Sequence, residues 1–227
     1  MIPTAVPARF LPAFLLLALP LAARALCTSD QVPAPAAVLE RFISADCATC
    51  WQDPATARPA GPDTVVLDWV VPGRQGEDAP LATVASSDAL ERLAVLRRQA
   101  PERSDAVSAR REGKGLPLRL AQGAAFNDYV GASIELRVPG RTAWQPWLLL
   151  VEQLPAGTEG SPVARNLVRN VFRPDWGQPS TKPPARLADT RAMQIHEGAR
   201  PERLRLVAVL QDARGRIRAI SRTECRE

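Results

Sequence analysis

Residues 42–51 read Phe42-Ile43-Ser44-Ala45-Asp46-Cys47-Ala48-Thr49-Cys50-Trp51, an apolar run that leads directly into two cysteines two residues apart. A Cys-x-x-Cys pair beside a strand is typical of thiol–disulfide chemistry in an α/β domain. Zinc is the rival reading, but structural zinc sites use two such pairs, or one pair with paired histidines. This chain has one pair, and His196 is its single histidine. Redox chemistry at Cys47 and Cys50 is therefore favoured over metal binding.

The first 25 residues predict export. Arg9 is followed by an uncharged apolar run over 10–21 and then by Ala23-Arg24-Ala25, which is the layout of a secretory signal peptide and its cleavage site. The apolar run is shorter than the roughly 20 residues that a membrane-spanning helix needs. We therefore expect a periplasmic or secreted protein whose mature chain begins near Leu26 and has no stable membrane span.

Composition and charge predict a folded protein that does not bind nucleic acid. Of the 227 residues, 46% are hydrophobic and 23% are charged, which is ordinary for a globular chain. The net charge of +5 falls to +3 without the first 25 residues, because these contain Arg9 and Arg24 and no acidic residue. The remaining basic residues are dispersed among acidic ones, whereas a nucleic-acid site requires a basic stripe or patch.

Four cysteines in an oxidising compartment can form two disulfides in three pairings. Cys27 lies close to the predicted cleavage site and Cys225 close to the last residue, whereas Cys47 and Cys50 are neighbours. We expect Cys27 to pair with Cys225, and Cys47 with Cys50. A Cys27–Cys225 disulfide closes a loop of nearly the whole mature chain and would be structural, with a stabilisation of about 5 kcal/mol.

The chain before residue 115 has the pattern of a small α/β domain. Apolar runs over 36–43 and 64–71 predict two buried strands, and the cysteine motif lies between them. Ser87 or Asp88 can cap a helix that runs to about Arg98, and Pro101 opens a further helical stretch that ends near Arg111. The order strand, cysteine loop, strand, helix predicts an α/β domain over residues 26–114.

The chain after residue 114 changes to short strands separated by Pro- and Gly-rich turns. Such a series predicts a β-sandwich-like domain over residues 115–227. The predicted strands cover 116–121, 132–138, 147–154, 166–172, 186–196, 204–210 and 217–222.

The run Leu39-Glu40-Arg41-Phe42-Ile43-Ser44-Ala45-Asp46-Cys47-Ala48-Thr49-Cys50 resembles the signature of the secreted thioredoxin-like proteins called the domain-of-unknown-function 1223 family. Val66-Leu67-Asp68-Trp69, Asn166-Leu167-Val168-Arg169 and the final residues 207–217 are also similar to that family. The resemblance covers most of the mature chain. It implies a degenerate thioredoxin-like domain followed by a β-domain, and it implies no established activity.

The chemistry of the motif follows from its position. A cysteine at a helix N-terminus has a stabilised thiolate, so Cys47 would attack a disulfide and Cys50 would resolve the mixed disulfide. Asp46 opposes this chemistry, because a carboxylate beside the sulfur disfavours the thiolate unless it turns away to cap the helix. A helix can start at Pro54, but Pro59 and Gly61 stop it almost at once, so we expect a short motif helix with a weak dipole. Leu116-Pro117 is the single candidate for the cis-proline that thioredoxin-like folds place before a strand.

Three functions from different classes remain open. The first is a thiol–disulfide oxidoreductase that acts on other periplasmic thiol proteins, and it predicts a partly exposed Cys47 sulfur. The second is a non-catalytic envelope binding protein held together by two disulfides, both resistant to mild reductant. The third, copper handling, is disfavoured because the motif has no histidine or methionine nearby. We expect no cofactor and no bound metal.

Four other groups of polar or aromatic residues have structural interpretations. His196 ends a predicted strand, and Ser86-Ser87-Asp88 fits a helix cap better than a nucleophile cluster. Asp68, within an apolar strand, is expected to bond a backbone group or to face solvent. Trp144, Trp147 and Trp176 suit either a ligand groove or a sandwich core.

Overall fold

The computed structural model describes residues 27–137, 142–177 and 186–225, and this part of the chain is mostly β. The predicted signal peptide and Val138, the last residue of a predicted strand, lie outside the described residues. Two helices are present, α1 (Ala48–Trp51) and α2 (Ser87–Val95). The strands are β1 (Cys27–Thr28), β2 (Ala37–Ser44), β3 (Thr64–Val71), β4 (Ser104–Arg110), β5 (Leu118–Phe126), β6 (Tyr129–Leu136), β7 (Trp144–Leu154), β8 (Arg165–Phe172), β9 (Leu187–Gln194), β10 (Leu204–Asp212), β11 (Ile217–Arg222) and β12 (Glu224–Cys225).

The described strands form two sheets. The seven-stranded sheet has the order β11-β10-β7-β8-β3-β2-β4, and the five-stranded sheet has the order β12-β1-β5-β6-β9. In the larger sheet β2, β3 and β8 run parallel to one another, with Arg41 opposite Asp68 and Asp68 opposite Leu167. All other pairs in both sheets are antiparallel.

The seven-stranded sheet continues across residue 114. Strands β2, β3 and β4 precede this position and β7, β8, β10 and β11 follow it, yet all seven belong to one sheet. The contact between the two groups is the β3–β8 pair, where the Asn166 side chain donates to Val66 O at 2.9 Å. Strands from both sides of residue 114 therefore share one sheet.

The core lies on both faces of the seven-stranded sheet. Alternate residues of β10 lie on opposite faces of the sheet. Leu206 belongs to the cluster against the five-stranded sheet, and Val207 belongs to the cluster that includes Leu93 of α2. This period of two is what a sheet covered on both faces requires. The three candidate groove tryptophans are buried in these clusters, so they belong to the core: Trp144, Trp147 and Trp176.

Most of the predicted elements are present, with one exception. Each predicted strand corresponds to an observed strand, and α2 begins within a residue of its predicted start. The N-cap of α2 is Ser86, whose hydroxyl accepts from Asp88 N at 3.1 Å, so the predicted cap at Ser87 or Asp88 is wrong, and the helix ends at Val95 and not near Arg98. The helical stretch predicted from Pro101 to Arg111 is wrong, because these residues form β4 and pair antiparallel with β2. The free edge of β2 supplies hydrogen-bond partners that override the local helix signal.

The helices of the described residues are all too short or too polar to cross a membrane. The longer of the two, α2, has nine residues, which is about half of what a bilayer requires.

Candidate functional site

The structure contains both disulfides in the expected pairing. The Cys47 and Cys50 sulfurs are 2.02 Å apart, and those of Cys27 and Cys225 are 2.00 Å apart. Cys27 and Cys225 stand opposite each other in the β1–β12 pair, so their disulfide joins two strands that are far apart in sequence. Cys47–Cys50 instead closes a single turn directly after β2.

The cysteine motif occupies one helical turn. Cys47 is the N-cap of α1, and its carbonyl accepts from Cys50 N at 3.0 Å and from Trp51 N at 3.3 Å. A helix macrodipole is the sum of many aligned peptide dipoles, so four residues supply little of it. The helix is short, as the sequence predicts, and it gives the Cys47 sulfur little electrostatic stabilisation. Its predicted start at Pro54 is wrong, because the helical turn is Ala48–Trp51 and residues 54–61 form no helix.

The Cys47–Cys50 disulfide is buried in an apolar cluster. Each cysteine is 7% exposed, and the cluster includes Ile43, Val70 and Leu154. Side chains from residues 81–85 pack against the same cluster. The Thr49 hydroxyl lies 3.5 Å from the Cys47 sulfur and must be the donor, because a disulfide sulfur carries no hydrogen. The partly exposed Cys47 that thiol exchange predicts is therefore not what the structure shows.

Asp46 turns away from the cysteines. Its carboxylate accepts from the backbone of Arg74 at 2.7 Å and of Gln75 at 3.3 Å, in the loop after β3. It makes no capping bond to α1, which has no side-chain cap. Gly73 allows this approach, because a Cβ there would collide with the Asp46 carboxylate. Asp46 thus fastens two loops and does not oppose a thiolate at Cys47 directly.

A buried ionic cluster lies beside the cysteine turn. Asp68 is fully buried and forms a bidentate pair with Arg41, with both N–O distances at 2.7 Å. Arg165 donates to the same carboxylate at 3.0 Å, and Asn166 N donates to it at 2.9 Å. The expectation that Asp68 bonds a backbone group is confirmed. The expectation that it might face solvent is wrong.

Arg165 links this cluster to the cysteine turn. Its guanidinium donates to Trp51 O at 2.7 Å and to the Ser161 hydroxyl at 2.9 Å, and it lies 4.8 Å from the Trp51 ring centroid. Burial lowers the pKa of Arg165 from its ordinary value, while the Asp68 carboxylate opposes that shift. The Trp51 indole in turn donates to Glu159 O at 2.8 Å. Two hydrogen bonds, one with Arg165 and one with Glu159, therefore fasten α1 to the start of β8 and to the loop before it.

A second buried ion pair, which was not predicted from the sequence, joins α2 to β2. Arg92 of α2 forms a bidentate pair with Glu40 of β2, at 2.6 and 2.8 Å, and donates to the Gln211 amide at 2.8 Å. The Trp69 indole donates to the same Glu40 carboxylate at 3.1 Å. The sequence signal for this pair is Glu40 itself, because a charged residue inside an apolar strand requires a buried partner.

The other candidate residues do not form a site. His196 is exposed and follows β9, and no group of three metal-ligating side chains exists in the described residues. Ser86 and Asp88 form the cap of α2. None of the described peptide bonds is cis, so Leu116-Pro117 is trans.

A cleft lies at the other disulfide. It has a volume of about 560 Å³ and opens beside Cys27 and Cys225. Its lining is mainly apolar, with charged side chains just before and at the start of β10, and includes Ala125, Phe126, Val130, Leu204, Glu202 and Arg205. Phe126 is 67% exposed, the highest value among the large apolar residues of the described chain.

No family model matches the chain, and neither a curated protein nor a solved structure is similar to it. The resemblance to the domain-of-unknown-function 1223 family therefore stays a prediction.

Proposed function

We propose that this is an exported, non-catalytic binding protein of the cell envelope in which both disulfides are permanent. The observation that carries the proposal is the burial of Cys47 and Cys50 in an apolar cluster between two loops. Reactive cysteines occupy electropositive, partly exposed sites, whereas buried structural cysteines are inert. Arg165, the buried cation that contacts the cysteine turn, is committed to Asp68, Ser161 and Trp51 O.

The cleft beside Cys27–Cys225 supports a binding role. Its volume of about 560 Å³ lies within the range of small-ligand and peptide pockets. The exposed Phe126 at one end is an apolar contact of the kind found in binding sites. Export to the periplasm or beyond belongs to the same proposal, and the presence of two disulfides supports an oxidising compartment.

The test is a titration of the mature protein against glutathione buffers of decreasing potential. Free thiols are alkylated at each step and mass spectrometry locates them. We expect both disulfides to stay oxidised at about −250 mV, because structural disulfides have potentials below about −300 mV. Cys27–Cys225 is the internal reference. Opening of Cys47–Cys50 at about −200 mV, in the range of thiol–disulfide oxidoreductases, would overturn the proposal.

The second candidate is thiol–disulfide exchange by a thioredoxin-like domain. The observation in its favour is the position of the cysteine turn, directly after β2 and before the parallel strand β3. The Cys47 thiolate would attack a disulfide in another periplasmic protein and release one thiolate of that protein. The Cys50 thiolate would then attack Cys47, so that the client leaves with two thiols and the Cys47–Cys50 disulfide forms.

A trapping experiment tests this candidate. If exchange occurs, Cys50→Ser accumulates a mixed disulfide between Cys47 and a disulfide-containing peptide, because the resolving thiol is missing. The matched control is Cys47→Ser, in which the attacking thiol is missing. Equal and negligible trapping by the two variants would contradict thiol exchange.

A further inference from the structure

Strand β4 leaves one edge of the seven-stranded sheet open. It is the terminal strand of that sheet and pairs only with β2 among the described strands. The opposite terminal strand, β11, is covered at its start, where Glu112 N donates to Ile217 O at 2.8 Å. Strand β4 has no proline and no bulge, the features that usually prevent edge-to-edge pairing.

The backbone groups on the open edge can be identified. Ser44 N donates to Arg103 O, and Arg111 N donates to Ala36 O, both at 2.8 Å. The odd-numbered residues of β4 therefore bond to β2, and the even-numbered residues direct their N–H and C=O groups outward. Of the outward N–H groups, that of Ala106 is bonded to the Asp105 carboxylate at 2.9 Å. The others have no hydrogen-bond partner in the described chain: Ser104, Ser108 and Arg110.

We propose that this edge pairs antiparallel with β4 of a second copy of the chain, with the two Ser108 residues opposite each other at a twofold axis. Antiparallel pairing must place outward residues opposite outward residues, so Ala106 faces Arg110 of the second copy. Asp105 then faces Arg111 of the second copy, and the reciprocal pair forms on the other side of the axis. The interface is isologous and closes as a dimer.

The charged residues of β4 and its flanks favour this register over registers shifted by two residues. Asp105 is 29% exposed on its side chain and already accepts from Arg98, so a second arginine adds to an existing anion site. Arg111 is partly exposed, and no ion pair joins it to another described residue. Moving the register by two residues in one direction would place Arg103 opposite Arg111, and like charges directly opposite each other are destabilising. Moving it in the other direction would place Asp105 opposite Gly113, so that both Asp105–Arg111 pairs are lost. Small residues fill the rest of the contact and allow close approach: Ser104, Ala106 and Ser108.

The first test is a cross-link in the full mature protein. Ser108→Cys should form an intermolecular disulfide in mild oxidant, because residues opposite each other in a hydrogen-bonded pair have Cα atoms about 5.5 Å apart. The matched control is Ala106→Cys, an equally exposed position on the same face of β4 that lies away from the axis. Equal cross-linking of both variants, or none in the Ser108→Cys variant, would overturn the register.

The second test exchanges the charges. Asp105→Arg and Arg111→Asp should each weaken self-association by roughly tenfold or more in sedimentation equilibrium, because like charges then face each other across the interface. An equal mixture of the two variants should restore dimers, because each interface then holds two complementary pairs. A monomer at every concentration, or a mixture no tighter than the single variants, would refute the proposal, provided that both variants keep the parent melting temperature. The inference does not depend on whether Cys47–Cys50 exchanges, so it can fail without the proposed function failing.

Discussion

The two disulfides lie in regions of opposite character. Cys27–Cys225 joins two-residue strands in the five-stranded sheet, with Cys27 buried, Cys225 half-buried and a cleft beside them. The nearby ion pair, Asp30 with Arg119, is about half-exposed on both sides. Cys47–Cys50 is buried, and the nearby pairs of Asp68 with Arg41 and Arg165 are buried with it.

The difference separates two ways in which a covalent bond contributes to a fold. A bond between residues that are 198 apart restricts the unfolded chain strongly. A bond between residues three apart restricts it little, and its effect comes from the shape that it gives to one turn. Around that turn the stabilisation comes from buried charges and packing.

The largest expected effect is the loss of the long-range disulfide. Cys27→Ser with Cys225→Ser should lower the free energy of unfolding by about 5 kcal/mol, measured by urea denaturation without reductant. This is comparable to the whole stability of many domains. A loss below that of the Cys47–Cys50 variant described below would contradict the comparison.

The next effect separates the buried charges from the exposed ones. Asp68→Asn should lower the free energy of unfolding by about 3–5 kcal/mol, because Arg41 and Arg165 stay buried without their carboxylate. Asp30→Asn is the matched control and should change it by less than about 1 kcal/mol, since its pair is exposed. Equal losses in urea denaturation would show that burial does not distinguish the two regions.

A smaller effect is expected from the local disulfide. Cys47→Ser with Cys50→Ser should lower the free energy of unfolding by about 2 kcal/mol, which is the loop-entropy value for so short a loop. The near-ultraviolet circular dichroism of Trp51 should change with it, because the ring packs in the same cluster. A loss as large as that for Asp68→Asn would mean that the turn also organises the buried charges.

The smallest effect concerns the loop over the cysteine turn. Trp51→Phe removes the indole bond to Glu159 O and should lower the stability by about 1 kcal/mol. It should also speed the reduction of Cys47–Cys50 by dithiothreitol and leave that of Cys27–Cys225 unchanged.

Trp176→Phe is the matched control for this experiment, because its indole donates to Asp189 in the five-stranded sheet, at 2.6 Å. It should alter stability without altering the reduction rate of Cys47–Cys50. A parallel increase in both variants would indicate general loosening of the fold, and the loop would then have no specific effect on the disulfide.

The local pattern of apolar and β-branched residues was sufficient to predict most strands and helices of this fold. The strand over residues 64–71 was predicted with its observed bounds, because Thr64–Val71 is apolar and β-branched. The stretch after Pro101 was misassigned, because Ala106, Val107 and Ala109 fit a helix locally and become a strand only beside the edge of β2. The sequence also could not show that strands from both halves share one sheet, since the β3–β8 contact joins residues that are far apart along the chain.

The Cys47–Cys50 disulfide could be predicted from the sequence, but the residues that surround it could not. The spacing of Cys47 and Cys50 and their position after a strand are visible in the sequence. Their burial is not, because it depends on loops that are distant in the sequence. The partners of Asp68 were equally hidden, since Arg165 is 97 residues distant.

The separation of 198 positions between Cys27 and Cys225 also imposes an order on synthesis. Cys27 emerges first and must wait for its partner until nearly the whole chain has followed. Cys47 and Cys50 emerge soon after it, within reach of its free thiol. Because these two are three residues apart, an external disulfide oxidant can convert them to a disulfide at once, accepting their two electrons and leaving no thiol for Cys27 to capture wrongly. A buried disulfide that never turns over would still guide the correct pairing each time the protein is made.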